Sequence, residues 1–251
     1  MGEPFFPKKG SPNPKKGSPK MVSGRYRPHT ARRKAVLNAV IVVLAVVLLV
    51  WLLWSIHAGA ASRALWIKTA LSALFLLTAL SQPKPVPGYF YLLLAGLFLC
   101  LVGDVLLALP QKRAFTAGLA AFLLGHVLYV LAFAYVTRLS GWLSWPILLV
   151  AALSGAVFLW LRPRLGRMFW PVLAYVTVIS IMVVGASAVF RHVGPGRPGG
   201  WLVLCGAVLF YFSDLFVARD RFVSQTFINR LAGLPLYYAG QCLLAFSVGG
   251  I

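Results

Sequence analysis

An all-α, polytopic membrane protein with eight transmembrane helices is the fold class this sequence predicts, on three observations. Sixty per cent of its 251 residues are hydrophobic and 11% are charged, a balance foreign to a water-soluble domain of this size. Apolar runs of 18 residues or more recur along the chain, each long enough to cross a hydrocarbon core as a helix. Arg, Lys, Pro and Gly gather in the short breaks between them. Backbone in lipid must satisfy its own hydrogen bonds, so each run is read as helix.

Residues 1–34 are of another kind. Ten of the 24 Lys and Arg lie there, and the unit PKKGSP at 7–12 returns within NPKKGSPK at 13–20. So much Pro, Gly, Ser and Lys cannot bury apolar surface, which predicts a disordered basic cytoplasmic tail. Anionic membrane lipid is its expected partner. A basic balance in a membrane protein serves headgroups and topology, not nucleic acid. Residues 35–251 then form the eight-helix transmembrane domain.

The first run, 35–54, is about 20 residues, too long for the apolar core of a signal peptide, and is read as a retained helix. The second, 64–81, carries Lys68, the one Lys within a span. Asp104 lies in the third, 88–109, within CLVGDVLLAL; His126 and Tyr129 share a face of the fourth, 114–137. The fifth and sixth, 141–161 and 169–190, bring Tyr175. The seventh, 200–217, holds Ser213 and Asp214 within LFYFSDLFVARD, and the eighth, 231–249, holds Tyr238 and Gln241. All eight Trp fall near predicted helix ends, as interfacial aromatics do. Cys100, Cys205 and Cys242 have no paired spacing and read as thiols acting as small hydrophobes.

With the N-terminus inside, its side collects fourteen Lys and Arg against nine on the far side. Both termini are therefore expected in the cytoplasm, in a bacterial inner membrane.

Only four residues are acidic, and Asp104 and Asp214 stand inside spans. An ionisable group in a bilayer is expensive and marks a working site. The third and seventh helices run in the same direction and carry their Asp close to the same end, so both carboxyls occupy one leaflet. Lys68, Tyr175, Tyr238, Gln241 and His126 enter from that side, and one cavity can receive them all. Two carboxyls in a low-dielectric cavity do not easily both carry charge, so a proton donor and a carboxylate can coexist there. The competing account pairs each Asp with a basic or hydroxyl group to hold helices together.

An internal echo accompanies the acids. Gly96 precedes Asp104 by eight residues as Gly206 precedes Asp214, and GHVLYVLAF at 125–133 parallels GQCLLAF at 240–246. Either a duplicated four-helix unit or chance recurrence of Leu, Gly and Ala produces it. Other chemistries lack their signatures. GxSxG, GxGxxG and GxxxxGK[ST] are absent, and a single intramembrane His, with no Glu in the body, is a poor ligand supply. Neither metal nor cofactor is expected.

At GD in the third helix, HVLYVLAF in the fourth, SDLFVARDRF in the seventh and YYAGQCLLA in the eighth, the chain resembles the YhhN-like lysoplasmalogenase family of eight-span membrane proteins. Lys68 matches that family's Lys early in the second helix. The resemblance covers residues 40–251 and leaves the tail outside. It implies a lysophospholipid substrate, whose vinyl ether bond is hydrolysed to a fatty aldehyde and a glycerophospho-ethanolamine or glycerophospho-choline. Some members carry Asn where this chain has Asp214, and many have Pro where it has Thr69.

Vinyl ether cleavage begins with protonation of the β-carbon and passes through an oxocarbenium ion, so it needs an acid and a carboxylate together. Asp104 and Asp214 are the catalytic candidates, in either order. Lys68 would hold their charge difference, and His126, Tyr129, Ser213, Tyr238 and Gln241 would place water or the glycerol hydroxyl. Arg221, with Arg219 and Arg230, stands where a phosphate would arrive. The alternative reading is a proton-coupled transporter of a lipid or small molecule, using the same Asp and Lys groups as a relay.

Overall fold

The computed structural model describes residues 28–251, and these are helical with no strand among them. The expected disordered tail lies outside the described residues as far as residue 27. The helices are α1 (Pro28–His57), α2 (Ala61–Ser81), α3 (Pro87–Leu107), α4 (Lys112–Val136), α5 (Pro146–Leu165), α6 (Phe169–Val193), α7 (Pro198–Phe222) and α8 (Phe227–Ser247).

Proline marks several starts. Pro87, Pro146 and Pro198 occupy the first turns of α3, α5 and α7, where a missing N–H leaves no bond unmade. The fifth run, expected from 141, begins instead at Pro146, because Leu139–Trp142 forms a 3-10 turn. Trp142 is a correction too. Its ring is buried against Gly185 rather than standing at the interface, and its indole N–H donates to Thr137 Oγ1 at 2.9 Å.

Among the described residues six segments are long and apolar enough to cross a membrane, which makes this an integral membrane protein. The number differs from the eight expected for two physical reasons. Residues 146–193 form one helical run of 48 residues, because only the 3-10 turn Gly166–Met168 parts α5 from α6. Counted so, the described residues hold seven helical runs. Gly166, at φ +48°, takes a backbone shape open to glycine, and α5 folds back to pack on α6. The second reason is α8, whose Asn229, Arg230, Tyr237, Tyr238 and Gln241 make it too polar to qualify.

The most extensive packing is of α3 along α4 and of α7 along α8. Small residues allow it. A Cβ on Gly125 would stand 3.1 Å from the Gly96 carbonyl oxygen, and one on Gly240 would stand 2.9 Å from that of Gly206. Backbones in direct contact replace the hydrophobic drive that lipid does not supply. Helix α6 packs on α4 and α7, and α2 on α1, α3 and α8. Large rings fill the interior, Phe75, Tyr89, Tyr129, Phe133 and Phe210 among them, while Val36, Val43, Leu148 and Leu149 face outward. An apolar exterior is what a lipid solvent asks for.

Candidate active site

A cavity of about 530 Å³ opens at the end of the bundle where α1 meets α2, α3 meets α4 and α7 meets α8. Apolar side chains drawn from all eight helices make most of its wall. Lys68, Asp104, Tyr175, Ser213, Asp214, Arg221, Arg230 and Tyr237 bring polar groups to it. The two acids thus share one space, as their common depth predicted.

Their surroundings differ. Asp104, 1% exposed, takes Lys68 Nζ on Oδ1 at 3.0 Å, and its Oδ2 accepts the hydroxyls of Ser72 and Tyr237, each at 2.6 Å. Three donors thus converge on one carboxyl. Lys68 and Ser72 are one turn apart on α2, so a single helix face supplies two of them.

Behind Tyr237 a line of hydrogen bonds leads inward. Gln241 Nε2 donates to the Tyr237 hydroxyl at 3.3 Å, and Gln241 Oε1 accepts from Tyr129 at 2.8 Å. Tyr129 and Gln241 are fully buried and touch Asp104 only through Tyr237. The Tyr238 hydroxyl donates to the Lys68 carbonyl at 3.3 Å and ties α8 to α2, without reaching the carboxyl.

Asp214 is more open, its side chain 16% exposed. Tyr175 on α6 donates to its Oδ2 at 2.7 Å. His126 Nε2 lies 3.8 Å from the same oxygen, beyond hydrogen-bond reach, and has no other partner. The His126 Nδ1 is 2.6 Å from the Phe122 carbonyl, which can only accept, so Nδ1 carries the hydrogen. Rings of Tyr175 and Phe210 pack on the imidazole and fix its plane.

Arg221 lines the mouth with its guanidinium over the Phe115 ring, 4.0 Å from the centroid. Arg219, expected beside it, is drawn away to Asn229 Oδ1 at 2.7 Å. Of the residues singled out in the sequence, Lys68, Asp104, Tyr175, Ser213, Asp214, Arg221 and Arg230 line the cavity, His126 stands behind Asp214, and Tyr129, Tyr238 and Gln241 lie deeper. Sequence reasoning missed Ser72 and Tyr237 as partners of Asp104. Both carried a signal: Ser72 is one turn beyond Lys68, and Tyr237 one turn before Gln241.

Comparison with known proteins agrees with this architecture. A family model described as the YhhN family matches residues 62–248. "Uncharacterized membrane protein YhhN" of Escherichia coli O157:H7 is 30% identical over 188 residues, 73% of this chain and 86% of that protein. "Lysoplasmalogenase TMEM86B" of Rattus norvegicus is 36% identical over 163 residues, 65% of this chain and 64% of that protein. Its Homo sapiens counterpart of the same name is 34% identical over 164 residues, 65% of this chain and 66% of that protein. No solved structure matches.

Proposed function

The chain belongs to the YhhN family, and from that premise we propose that it is a lysoplasmalogenase, hydrolysing the vinyl ether bond of a lysophospholipid to a fatty aldehyde and a glycerophospho-ethanolamine or glycerophospho-choline. Relatives named lysoplasmalogenase support the reading and weigh against the transporter alternative. The observation that carries it is the unequal pair of carboxyls in one apolar cavity: Asp104 held by three donors, Asp214 facing an imidazole with an open nitrogen.

That inequality supports an assignment of roles. Asp214 is assigned as the acid, carrying a proton, because a single hydroxyl donates to it where three donors meet Asp104, and His126 Nε2 stands 3.8 Å from its Oδ2. Asp214 gives that proton to the β-carbon of the vinyl ether, and the carbon bound to oxygen becomes an oxocarbenium centre. Asp104 stabilises the cation and takes a proton from the water that attacks it. In the resulting hemiacetal, the hydroxyl returns its proton to Asp214 as the C–O bond breaks. Asp104 protonates the departing glycerol oxygen. Aldehyde and glycerophosphodiester leave, and both carboxyls are restored.

Lys68, Ser72 and Tyr237 hold Asp104 in place, while Tyr129 and Gln241 set Tyr237. Tyr175 and Ser213 border the reacting group at Asp214, and Arg221 receives the phosphate at the mouth.

Eight spans complete the reading. Fold-back at Gly166 supports separate crossings by α5 and α6, and the polar residues of α8 that lower its hydropathy, Tyr237, Tyr238 and Gln241, are buried in the bundle. A duplicated unit is supported by the matching glycine contacts and by crossed partners: α2 and α8 serve Asp104, while α6 and α4 serve Asp214. With both termini in the cytoplasm of a bacterial inner membrane, the mouth faces the outer leaflet. Purified protein incubated with an alkenyl lysophospholipid tests the activity. Aldehyde release by the wild type, lost in Asp104→Asn and Asp214→Asn, is the expected result; full activity in both variants removes the mechanism.

A further inference from the structure

Three acids occur among the described residues, and all three line the same cavity. Asp104 and Asp214 have roles in the chemistry above; Asp220 has none. It stands six residues beyond Asp214 on α7, about 9 Å along the helix axis and towards the mouth. In a chain of net charge +20 whose mouth is rimmed by Arg, a carboxylate there is the exception that calls for a ligand.

We infer that the mouth is a site for a zwitterionic headgroup, in which Asp220 binds a primary ammonium while Arg221 and Arg230 hold the adjoining phosphate. The inference rests on the lysophospholipid reading and adds the headgroup to it.

The local bonding is built for this. Asp220 Oδ1 accepts from Asn229 Nδ2 at 3.1 Å, and that amide is itself locked, with Oδ1 on Arg219 at 2.7 Å and Nδ2 on the Ser224 carbonyl at 2.6 Å. One carboxylate oxygen is therefore fixed. The other, Oδ2, meets only the Nε of Arg230 at 3.7 Å, and the Arg230 side chain is half exposed. An exposed pair at that separation contributes little and exchanges readily. A phosphoethanolamine group offers the complementary pair, its phosphate replacing Asp220 at Arg230 and its ammonium replacing Arg230 at Asp220. Arg221 adds a guanidinium over the Phe115 ring, a group able to make two parallel bonds to phosphate oxygens.

The same geometry selects among amines. A primary ammonium donates N–H to a carboxylate, whereas a trimethylammonium has no N–H and is recognised by open aromatic faces. Of the aromatic rings at the mouth, Phe115 is covered by Arg221 and Phe222 packs against Leu161, Leu165 and Val172. Ethanolamine is the preferred headgroup, ahead of choline and of uncharged glycerol.

Binding of saturated-ether lysophospholipids, which lack the cleavable double bond, tests this without requiring turnover. Affinities of detergent-purified wild type, Asp220→Asn and Arg221→Gln are compared for ethanolamine, choline and glycerol headgroups. Wild type should bind the ethanolamine lipid roughly tenfold or more tightly than the glycerol lipid, the effect of one charge-assisted contact. Asp220→Asn should erase that preference while leaving the glycerol lipid unchanged, and Arg221→Gln should weaken all three. Equal binding of the three headgroups by wild type overturns the proposal, as does a preference that survives in Asp220→Asn. If Asp220→Asn does not fold, the wild-type series decides alone. Absence of aldehyde from an alkenyl substrate would count against the hydrolase reading and leave this binding result standing.

Discussion

His126 turns Nε2 towards Asp214 Oδ2 across 3.8 Å while its other ring nitrogen is committed to the Phe122 carbonyl at 2.6 Å. Nδ1 is thereby a fixed donor, and in the proposed mechanism Nε2 stands beside the acid. Asp214→Asn should lower kcat by about 10²–10⁴-fold, the usual worth of a positioned acid. His126→Gln should lower kcat in the same direction and leave KM nearly unchanged, since the imidazole does not line the cavity. Steady-state aldehyde kinetics separate the two constants. A His126→Gln variant altered only in KM would place the residue in binding instead.

Lys68 and Asp104 form an ion pair whose side chains are 17% and 2% exposed. Removing one partner leaves the other buried without its counter-charge, at a cost of about 3–5 kcal/mol. Lys68→Met should therefore lower the unfolding temperature of the detergent-solubilised protein. Adding Asp104→Asn to that variant should recover part of the loss, because a neutral amide needs no cation, while aldehyde release stays abolished. If the double variant is no more stable than Lys68→Met alone, the pair is not a coupled unit.

Adjacent tyrosines on α8 offer a sharper contrast. Tyr237 packs its ring edge-on against Phe75, Phe122 and Phe210, and its hydroxyl reaches Asp104 at 2.6 Å. Tyr237→Phe keeps those contacts and removes one bond to a charged acceptor, worth about 1.5–3 kcal/mol. Activity should fall roughly tenfold to a hundredfold if that bond is made in the transition state. Tyr238→Phe loses only a 3.3 Å bond to the Lys68 carbonyl and should retain most of its activity. Equal losses in the two variants would place the effect in α8 packing rather than in the carboxylate.

Depth was legible in the sequence and azimuth only in part. Counting from helix ends placed Asp104, Asp214, Lys68 and Tyr175 at one level, because rise per residue is fixed and helix direction alternates. Which side chain on a turn points inward depends on helix rotation, and rotation is set by neighbours. The sequence points to Tyr238 for placing water or the glycerol hydroxyl, whereas Tyr237 is the tyrosine that reaches the carboxyl. Tyr129 and Gln241 were placed at the reacting group although they stand one layer behind it. Trp142 followed the general preference of Trp for interfaces, but the groove over Gly185 accepts its ring. The polarity that makes α8 less apolar than its neighbours is the same polarity that brings Tyr237 and Gln241 to the site.

Gly240 carries the last test, since it lies next to Gln241 at the closest approach of α7 and α8. A Cβ there would stand 2.9 Å from the Gly206 carbonyl oxygen and 3.1 Å from the Phe210 amide nitrogen, both backbone atoms that cannot rotate aside. Gly240→Ala must push the two helices apart, at an overpacking cost of about 1–3 kcal/mol. The same displacement carries Gln241 and Tyr237 away from Asp104, so activity should fall beyond what the stability loss explains. Gly155 on α5 is the control, because a Cβ there meets nothing within 4 Å. Gly155→Ala should be neutral or stabilising by about 0.5–1 kcal/mol, as a helix-interior glycine replaced by alanine is. Thermal unfolding and aldehyde release measured on both variants decide the matter. A Gly240→Ala protein as stable and active as Gly155→Ala would show that the α7–α8 contact does not position the site.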